Sequence, residues 1–229
     1  MLYLQRKEDN LKEYYKILKN VTLFEGLKEE ELESVLNCLS SKTTRYGKNQ
    51  VILHHGENTT NIGIVLSGQT QVMKEDYYGN RNLIANLSEG MLFGETFVCA
   101  DIKTLPVSVI STTESVILWI DYRRIISPCT QVCSFHSTLI YNMLRILSMK
   151  NLLLSQKIEF ISKRTTREKL VAYLSSEAQK NGSNHFLIPF NRQELADYLS
   201  VDRSAMSAEL SRLKSEGILD YHKNQFTLL

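Results

Sequence analysis

Residues 192 to 217, RQELADYLSVDRSAMSAELSRLKSEG, constrain the fold more than any other stretch, because two short runs of helical periodicity are separated by a turn of only two residues. The spacing predicts a helix-turn-helix. Its first helix opens with Asn191 as N-cap and Glu194 three residues on, a reciprocal capping box, and buries Leu195, Ala196 and Leu199. Ser200 and Val201 make the turn. Asp202 then caps a second helix whose apolar positions Met206, Leu210 and Leu213 share one face, and Gly217 supplies the left-handed residue that stops it. The other face carries Arg203, Ser204, Ser207, Glu209 and Arg212. In a DNA-reading helix the side chains near the N-terminus reach base edges, while basic and hydroxyl groups around them hold phosphates. An amphipathic pair that only packs a core would show the same spacing.

The flanks add context. Thr165 and Glu168 form a second capping box for a helix carrying Leu170, Val171 and Leu174, which ends near Asn181 and Gly182. A short strand is expected from His185 to Phe190, and a hairpin from Ile218-Leu219 and Gln225 to Leu228 around a polar turn at His222, Lys223 and Asn224. Helix, strand, helix-turn-helix and hairpin together describe a winged helix. From Ser162 on there are ten Lys and Arg against eight Asp and Glu, so the whole formal surplus of +2 lies in this part. A surplus of two is weak evidence for a nucleic-acid partner, since a basic stripe matters more than net charge.

Residues from about Arg45 to Asp121 follow a different grammar. Short runs at Val51 to Leu53, Ile62 to Leu66, Thr70 to Met73 and Val116 to Ile120 are separated by turns at Gly56, Gly68, Gly79-Asn80 and Gly90, a spacing that suits a sandwich or barrel. Leu23-Phe24-Glu25-Gly26-Leu27 and the following KEEELESVLNCL read as a helical cover. A long helix is expected from about Pro128 to Ile161. Within it Ile140, Leu144, Leu147, Asn151, Leu154, Ile158 and Ile161 follow the four-three spacing of a two-stranded coiled coil. Asn151 is the single polar member, and a lone polar residue in a seam favours one register and a paired state. A second stripe, Leu139, Met143, Ile146 and Leu153, would pack under the strands. A buried helix of a monomer would tolerate the same leucines. The expected class is α+β: an N-terminal antiparallel, jelly-roll-like β-roll over residues 1–127, a dimerisation helix over 128–161 and a winged helix over 162–229.

No run is apolar enough to span a bilayer, and Met1 to Asn20 is rich in charge and tyrosine rather than signal-like, so a cytoplasmic chain without a membrane partner is expected. A metal enzyme of the cupin type needs imidazoles and a carboxylate converging on one ion. His54 and His55, read as neighbours on a strand, would point to opposite faces, and Glu57 lies past the glycine turn. Neither a nucleophile motif nor a phosphate-cradling glycine loop occurs, so no catalytic residue is assigned. Cys38 and Cys99 read as isolated thiols in apolar surroundings. Cys129 and Cys133 lie four apart with His136 nearby, too small a set to predict a metal.

Taken in order, LFEGL, a roll containing Phe93-Gly94-Glu95, a long helix and the segment ELADYLSVDRSAMSAELSRLKSEGIL resemble the Crp/Fnr family of bacterial transcription regulators over nearly the full length. The resemblance implies a homodimer that binds a double-stranded DNA operator, works with RNA polymerase, and senses a signal through the roll or runs without one. It places an effector among Gly94, Glu95, Thr96, Leu105 and Pro106 of the roll and Tyr141, Asn142 and Arg145 of the helix. Members that bind cyclic nucleotides carry an arginine and a serine or threonine about ten residues after the glycine-glutamate pair; here those places hold Leu105 and Pro106. Cyclic AMP is therefore not expected as a cofactor, and a small organic acid, a peptide or no ligand is. An iron-sulfur cluster is not expected either, because the first twenty residues lack cysteine.

On the DNA side the resemblance carries over residue by residue. Arg203 falls on a phosphate- or base-contacting arginine, Ser204 on a glutamate that reads cytosine in many members, and Ser207 on a serine used by several branches. Ala208 stands where most members have a second guanine-reading arginine, a contact worth about 1–3 kcal/mol of discrimination. Asp202 caps this helix, and Arg192, Gln193, Arg212 and Lys223 are the phosphate candidates.

Overall fold

The computed structural model describes residues 11–75, 77–78, 81–127 and 135–229. The chain divides into two compact units, Met1–Leu147 and Ser148–Leu229.

Among the described residues of the first unit, two 3-10 turns, Leu11–Tyr14 and Thr22–Phe24, and the helices α1 (Tyr15–Leu18) and α2 (Glu29–Cys38) come first. Helix α2 starts where Lys28 N–H donates to Glu31 Oε2 at 2.8 Å, and it buries Leu32, Val35 and Leu36. Eight strands follow: β1 (Lys42–Tyr46), β2 (Val51–Leu53), β3 (Asn61–Ser67), β4 (Thr70–Glu75), β5 (Arg81–Leu87), β6 (Leu92–Phe93), β7 (Ser108–Ser111) and β8 (Ser115–Asp121). They form two antiparallel sheets, ordered β1-β8-β3-β6 and β2-β7-β4-β5. Between β6 and β7 lies a short helix, α3 (Glu95–Cys99), and after β8 another, α4 (Tyr122–Ile126). The four expected strands are present. Of the other four, β1 is the polar KTTRY and β6 is two residues long, which leaves no period to read in either, while β5 and β7 were not anticipated.

Strand β8 explains why its sequence is nearly all apolar. Val116, Leu118 and Ile120 join a core shared with α2 and with the start of the long helix α5 (Phe135–Ile161). Ile117 points the other way, into a second core with Val65 and Phe93 of its own sheet and Ile52, Leu87 and Val109 of the facing one. A strand covered on both faces needs apolar residues at every position rather than at alternate ones.

The space at Gly63 is fixed by Phe93. A Cβ built at Gly63 would lie 2.1 Å from Phe93 Cζ, and the Phe93 ring also meets Trp119 edge to face at 5.5 Å. The Gly63→Ala variant should lose stability by about 1–3 kcal/mol, the range of overpacked cores, because an aromatic ring held on two sides has nowhere to move. Urea unfolding of the variant at the wild-type midpoint would contradict this packing.

Helix α5 settles part of the two-stripe expectation. Leu139, Met143 and Ile146 are buried in the first unit's core, whereas Leu153 is exposed. The expected start at Pro128 lies outside the described residues, as do Cys129 and Cys133. His54 and His55 are not on a strand: β2 ends at Leu53 and both histidines are exposed beyond it, so the argument from opposite strand faces does not apply.

The second unit contains the rest of α5, then α6 (Thr166–Asn181), β9 (His185–Leu187), α7 (Arg192–Leu199), α8 (Arg203–Ser215), β10 (Leu219–His222) and β11 (Gln225–Leu228). The strands form one antiparallel sheet ordered β10-β11-β9. Its core joins Phe160, Leu170, Tyr173, Leu174, Phe186, Leu195, Leu199, Met206, Leu210, Leu213 and Phe226. Among the described residues no helix is long and apolar enough to cross a membrane.

Candidate nucleic-acid interface

Local hydrogen bonds build the helix-turn-helix from its caps. Asn191 Oδ1 accepts from Gln193 N–H at 2.9 Å and Glu194 N–H at 3.0 Å, and Glu194 Oε2 returns the bond from Asn191 N–H at 2.7 Å. The turn passes through Ser200 in the left-handed region, φ 51°. Asp202 Oδ1 then accepts from Ser204 N–H at 2.8 Å and Ala205 N–H at 2.9 Å, satisfying the first donors of α8.

Two cations brace this pair of helices from outside the motif. Lys169 Nζ donates to the carbonyls of Leu199 and Ser200, each at 3.3 Å, neutralising the C-terminal end of α7. Arg167 donates to Glu209 at 3.2 Å and to Glu216, both on or beside α8. Sequence reasoning missed both residues, whose partners lie 30 to 49 positions away at no characteristic spacing.

The exposed face of α8 overlaps the expected one only in part, because Ser207 and Glu209 are half-buried and Glu209 is paired with Arg167 and Arg212. Met206, Leu210 and Leu213 are buried, while Arg203, Ser204, Ala208, Ser211 and Arg212 are exposed. No hydrogen bond or ion pair to a described residue engages the Arg203 guanidinium. Ser204 Oγ donates to Asp202 Oδ1 and Ser207 Oγ to the Arg203 carbonyl, so both hydroxyls are already held in place. Arg212 lies 3.5 Å from Glu209 but stays largely exposed. Gln193 Nε2 donates to Asp197 at 2.9 Å. Lys223 sits at the tip of the β10-β11 hairpin with φ 53°, which turns the strands tightly and leaves the ammonium in solvent.

Arg192 has a structural contact besides its expected role on phosphate. Its guanidinium lies over the rings of Tyr221, 4.7 Å from the centroid, and Phe226, at 5.1 Å, and burial lowers its pKa from the ordinary value. It fastens α7 to the wing. Arg192, Lys223 and Asn224 also line a cleft of about 460 Å³ with Pro189, Phe190 and Glu194.

Several carboxylates of this unit are pulled below their ordinary values. A backbone N–H at Thr165 does so for Glu168, the Ser204 hydroxyl for Asp202, Arg167 for Glu216 and Lys214 for Asp220. A lowered folded pKa means stability that is present above the ordinary values of 4.5 for Glu and 3.8 for Asp and is lost as pH falls through the lowered ones. The thermal midpoint of this unit should thus drop progressively below about pH 4.5, and a midpoint that rises on acidification would contradict the cap and ion-pair assignments.

The candidate effector residues sit in differing surroundings. Gly94, φ 84°, turns the chain into α3, and Glu95 is buried there, its Oε1 accepting from Thr96 Oγ1 at 3.0 Å. Leu105 is 1% exposed, a core side chain, and Pro106 is exposed. Tyr141 is exposed. Asn142 is buried, and its Nδ2 donates to the carbonyls of Leu23 at 3.0 Å and Glu25 at 2.8 Å, clasping the LFEGL segment. Arg145 likewise pairs with Glu25 at 2.8 Å. A cleft of about 560 Å³ in the first unit is lined by Lys42, Thr44, Asn61, Trp119, Asp121 and Arg124 among others, and by none of the eight candidates.

An antiparallel roll with a glycine-glutamate turn into a short helix, followed by a capped winged helix, defines a winged-helix DNA-binding protein that carries a roll of the cyclic-nucleotide-binding type. The cyclic nucleotide-binding domain model matches residues 43–130 and the Crp-like helix-turn-helix domain model residues 168–229. The chain belongs to the Crp/Fnr family of transcription regulators, which are not enzymes. No curated protein matches it. Among solved structures it is similar to CprK (C200S) complexed with OCPA, at 15% identity and TM-score 0.62 over 86% of this chain and 89% of that one. It is also similar to CLP, the c-di-GMP-responsive global regulator of Xanthomonas campestris, at 18% identity and TM-score 0.57 over 88% and 99% of the two chains. At these identities the likeness is one of fold.

Proposed function

We propose that the chain is a sequence-specific regulator that binds operator DNA as a homodimer in the cytoplasm, with RNA polymerase as its further partner. The observation that carries the dimer is the apolar stripe on α5 that no described residue covers. Leu144 and Leu154 are each 60% exposed and Ile158 is 61% exposed, while Ile140 and Leu147 on the same seam reach the first unit's core. Asn151 is exposed in that stripe, where a partner's asparagine would satisfy it. The exposed face of α8, led by Arg203, is the base-reading surface, with Arg212, Gln193 and Lys223 on the flanking phosphates. Ala208 removes one bidentate contact, so the operator differs from those read by relatives with an arginine there.

The roll takes no cyclic AMP. Leu105 is buried where a nucleotide pocket needs a guanidinium, so a cyclic phosphate would lose its water without gaining a cation. Neither is an iron-sulfur cluster held. A small non-nucleotide effector remains the function of the roll in this reading. The commitment of Asn142 and Arg145 to the LFEGL segment favours a second reading, in which the roll is a scaffold and the regulator is constitutive.

Titration tests both halves. Binding to duplex DNA should weaken steeply with salt, log affinity falling linearly against log salt concentration, while cyclic AMP should produce no binding heat at micromolar concentration. Salt-independent binding, or micromolar affinity for cyclic AMP, contradicts the corresponding half.

A further inference from the structure

Cys38 is not the isolated thiol its sequence context suggests. It closes α2, is half-buried, and places Sγ 3.4 Å from Nε2 of His136, a residue 98 positions away near the described start of α5. The other ring nitrogen of His136, Nδ1, lies 3.3 Å from the carbonyl oxygen of Ile125. A carbonyl oxygen can only accept, so Nδ1 carries the ring proton and donates it. Nε2 is then left with its lone pair, and the Cys38 S–H donates to it. Ile125 is wholly buried and Phe135 stacks on the imidazole at 5.2 Å, so the ring is held in this orientation.

A nucleophile, a base within hydrogen-bond reach of it and a third group orienting the base form the arrangement that activates a thiol. Arg124 adds a positive charge nearby, its Nη1 donating to the Cys38 carbonyl at 3.4 Å. The C-terminal end of α2, where Cys38 sits, opposes a negative sulfur, and the Arg124 guanidinium and the imidazolium together offset it. Neither the DNA-binding surface nor the α5 seam uses this pair.

We propose that Cys38 is an oxidant-reactive thiol with His136 as its base, and that its substrate class is the hydroperoxides. His136 Nε2 takes the thiol proton, and the sulfur electron pair attacks one peroxide oxygen. The S–O bond forms as the O–O bond breaks, and the departing oxygen takes the proton back from the imidazolium. Sulfur is oxidised by two electrons to the sulfenic acid and the hydroperoxide is reduced to water or an alcohol, so atoms and electrons balance. The sulfenic acid has lost the S–H that bonded to His136. The inference stands on this geometry alone, independently of whether the chain reads DNA.

The test exposes the full-length protein to hydrogen peroxide for timed intervals, alkylates the remaining thiols and reads each cysteine by peptide mass spectrometry. Cys99 is the internal reference, since burial pushes its thiol up from the ordinary value. Cys38 should lose its alkylatable thiol at least about tenfold faster than Cys99, recover it with a thiol reductant, and slow by a similar factor in His136→Gln. Loss no faster than at Cys99, a comparison that needs no variant, or an unchanged Cys38 rate in a folded His136→Gln protein, overturns the proposal.

Discussion

A protein carrying the Leu154→Glu and Ile158→Glu substitutions should sediment as a monomer and bind its operator at least about a hundredfold more weakly than the wild type. Both side chains are more than half exposed in the single chain, so the charges cost the folded protomer little. In a paired helix the same positions face their counterparts across the seam, where four carboxylates would be buried without partners. Separating the protomers also removes the gain from presenting two reading heads on one duplex. Linked binding of that kind ordinarily raises affinity by about 10² to 10⁴ without any new contact. Sedimentation velocity and operator titration read the two effects in one preparation. A double variant that stayed dimeric would place the interface elsewhere.

The second large effect is expected at Arg203. Its guanidinium is exposed at the first turn of α8 and engages no described residue, so Arg203→Ala should leave the melting temperature unchanged. A bidentate arginine–guanine contact is worth about 1–3 kcal/mol, which corresponds to a loss of roughly five- to 150-fold in affinity for the operator. Preference at the contacted base pair should relax in parallel. Equal weakening on every sequence would instead mark Arg203 as a phosphate contact, which lowers the salt slope without changing preference. The alanine at position 208 makes the experiment sharper, because the place five residues on from Arg203 offers no second guanidinium, and Arg212 lies nine residues away near the other end of α8.

The winged helix was legible in the sequence because its determinants are local. Each cap acts over three residues, as at Asn191 with Glu194 and Thr165 with Glu168, and the buried positions of α8 repeat at helical spacing. The roll was legible only where a strand is long or flanked by a glycine turn, as at β3 and β8. Strand β1 gave no signal because it is polar and its pairing partner β8 lies some seventy residues downstream in the chain. Long-range polar contacts were hidden for the same reason. Nothing in the order of residues announces that Asn142 bonds to Leu23 and Glu25, 119 and 117 positions earlier, or that Cys38 meets His136. Family resemblance placed Asn142 and Arg145 near an effector, and it gave no sign that both also bond to the LFEGL segment. The stacking of Arg192 on two aromatic residues of the wing, Tyr221 and Phe226, was hidden for the same reason, since both lie far from it in sequence.

The central claim is that two copies of this chain present paired α8 helices to one duplex, and selection from random duplex DNA with the purified protein tests it most directly. Enrichment of a palindrome with half-sites about 34 Å apart, one helical turn, is the predicted result. Enrichment of a single half-site without symmetry, or no enrichment in the presence of salt-sensitive binding, would contradict it.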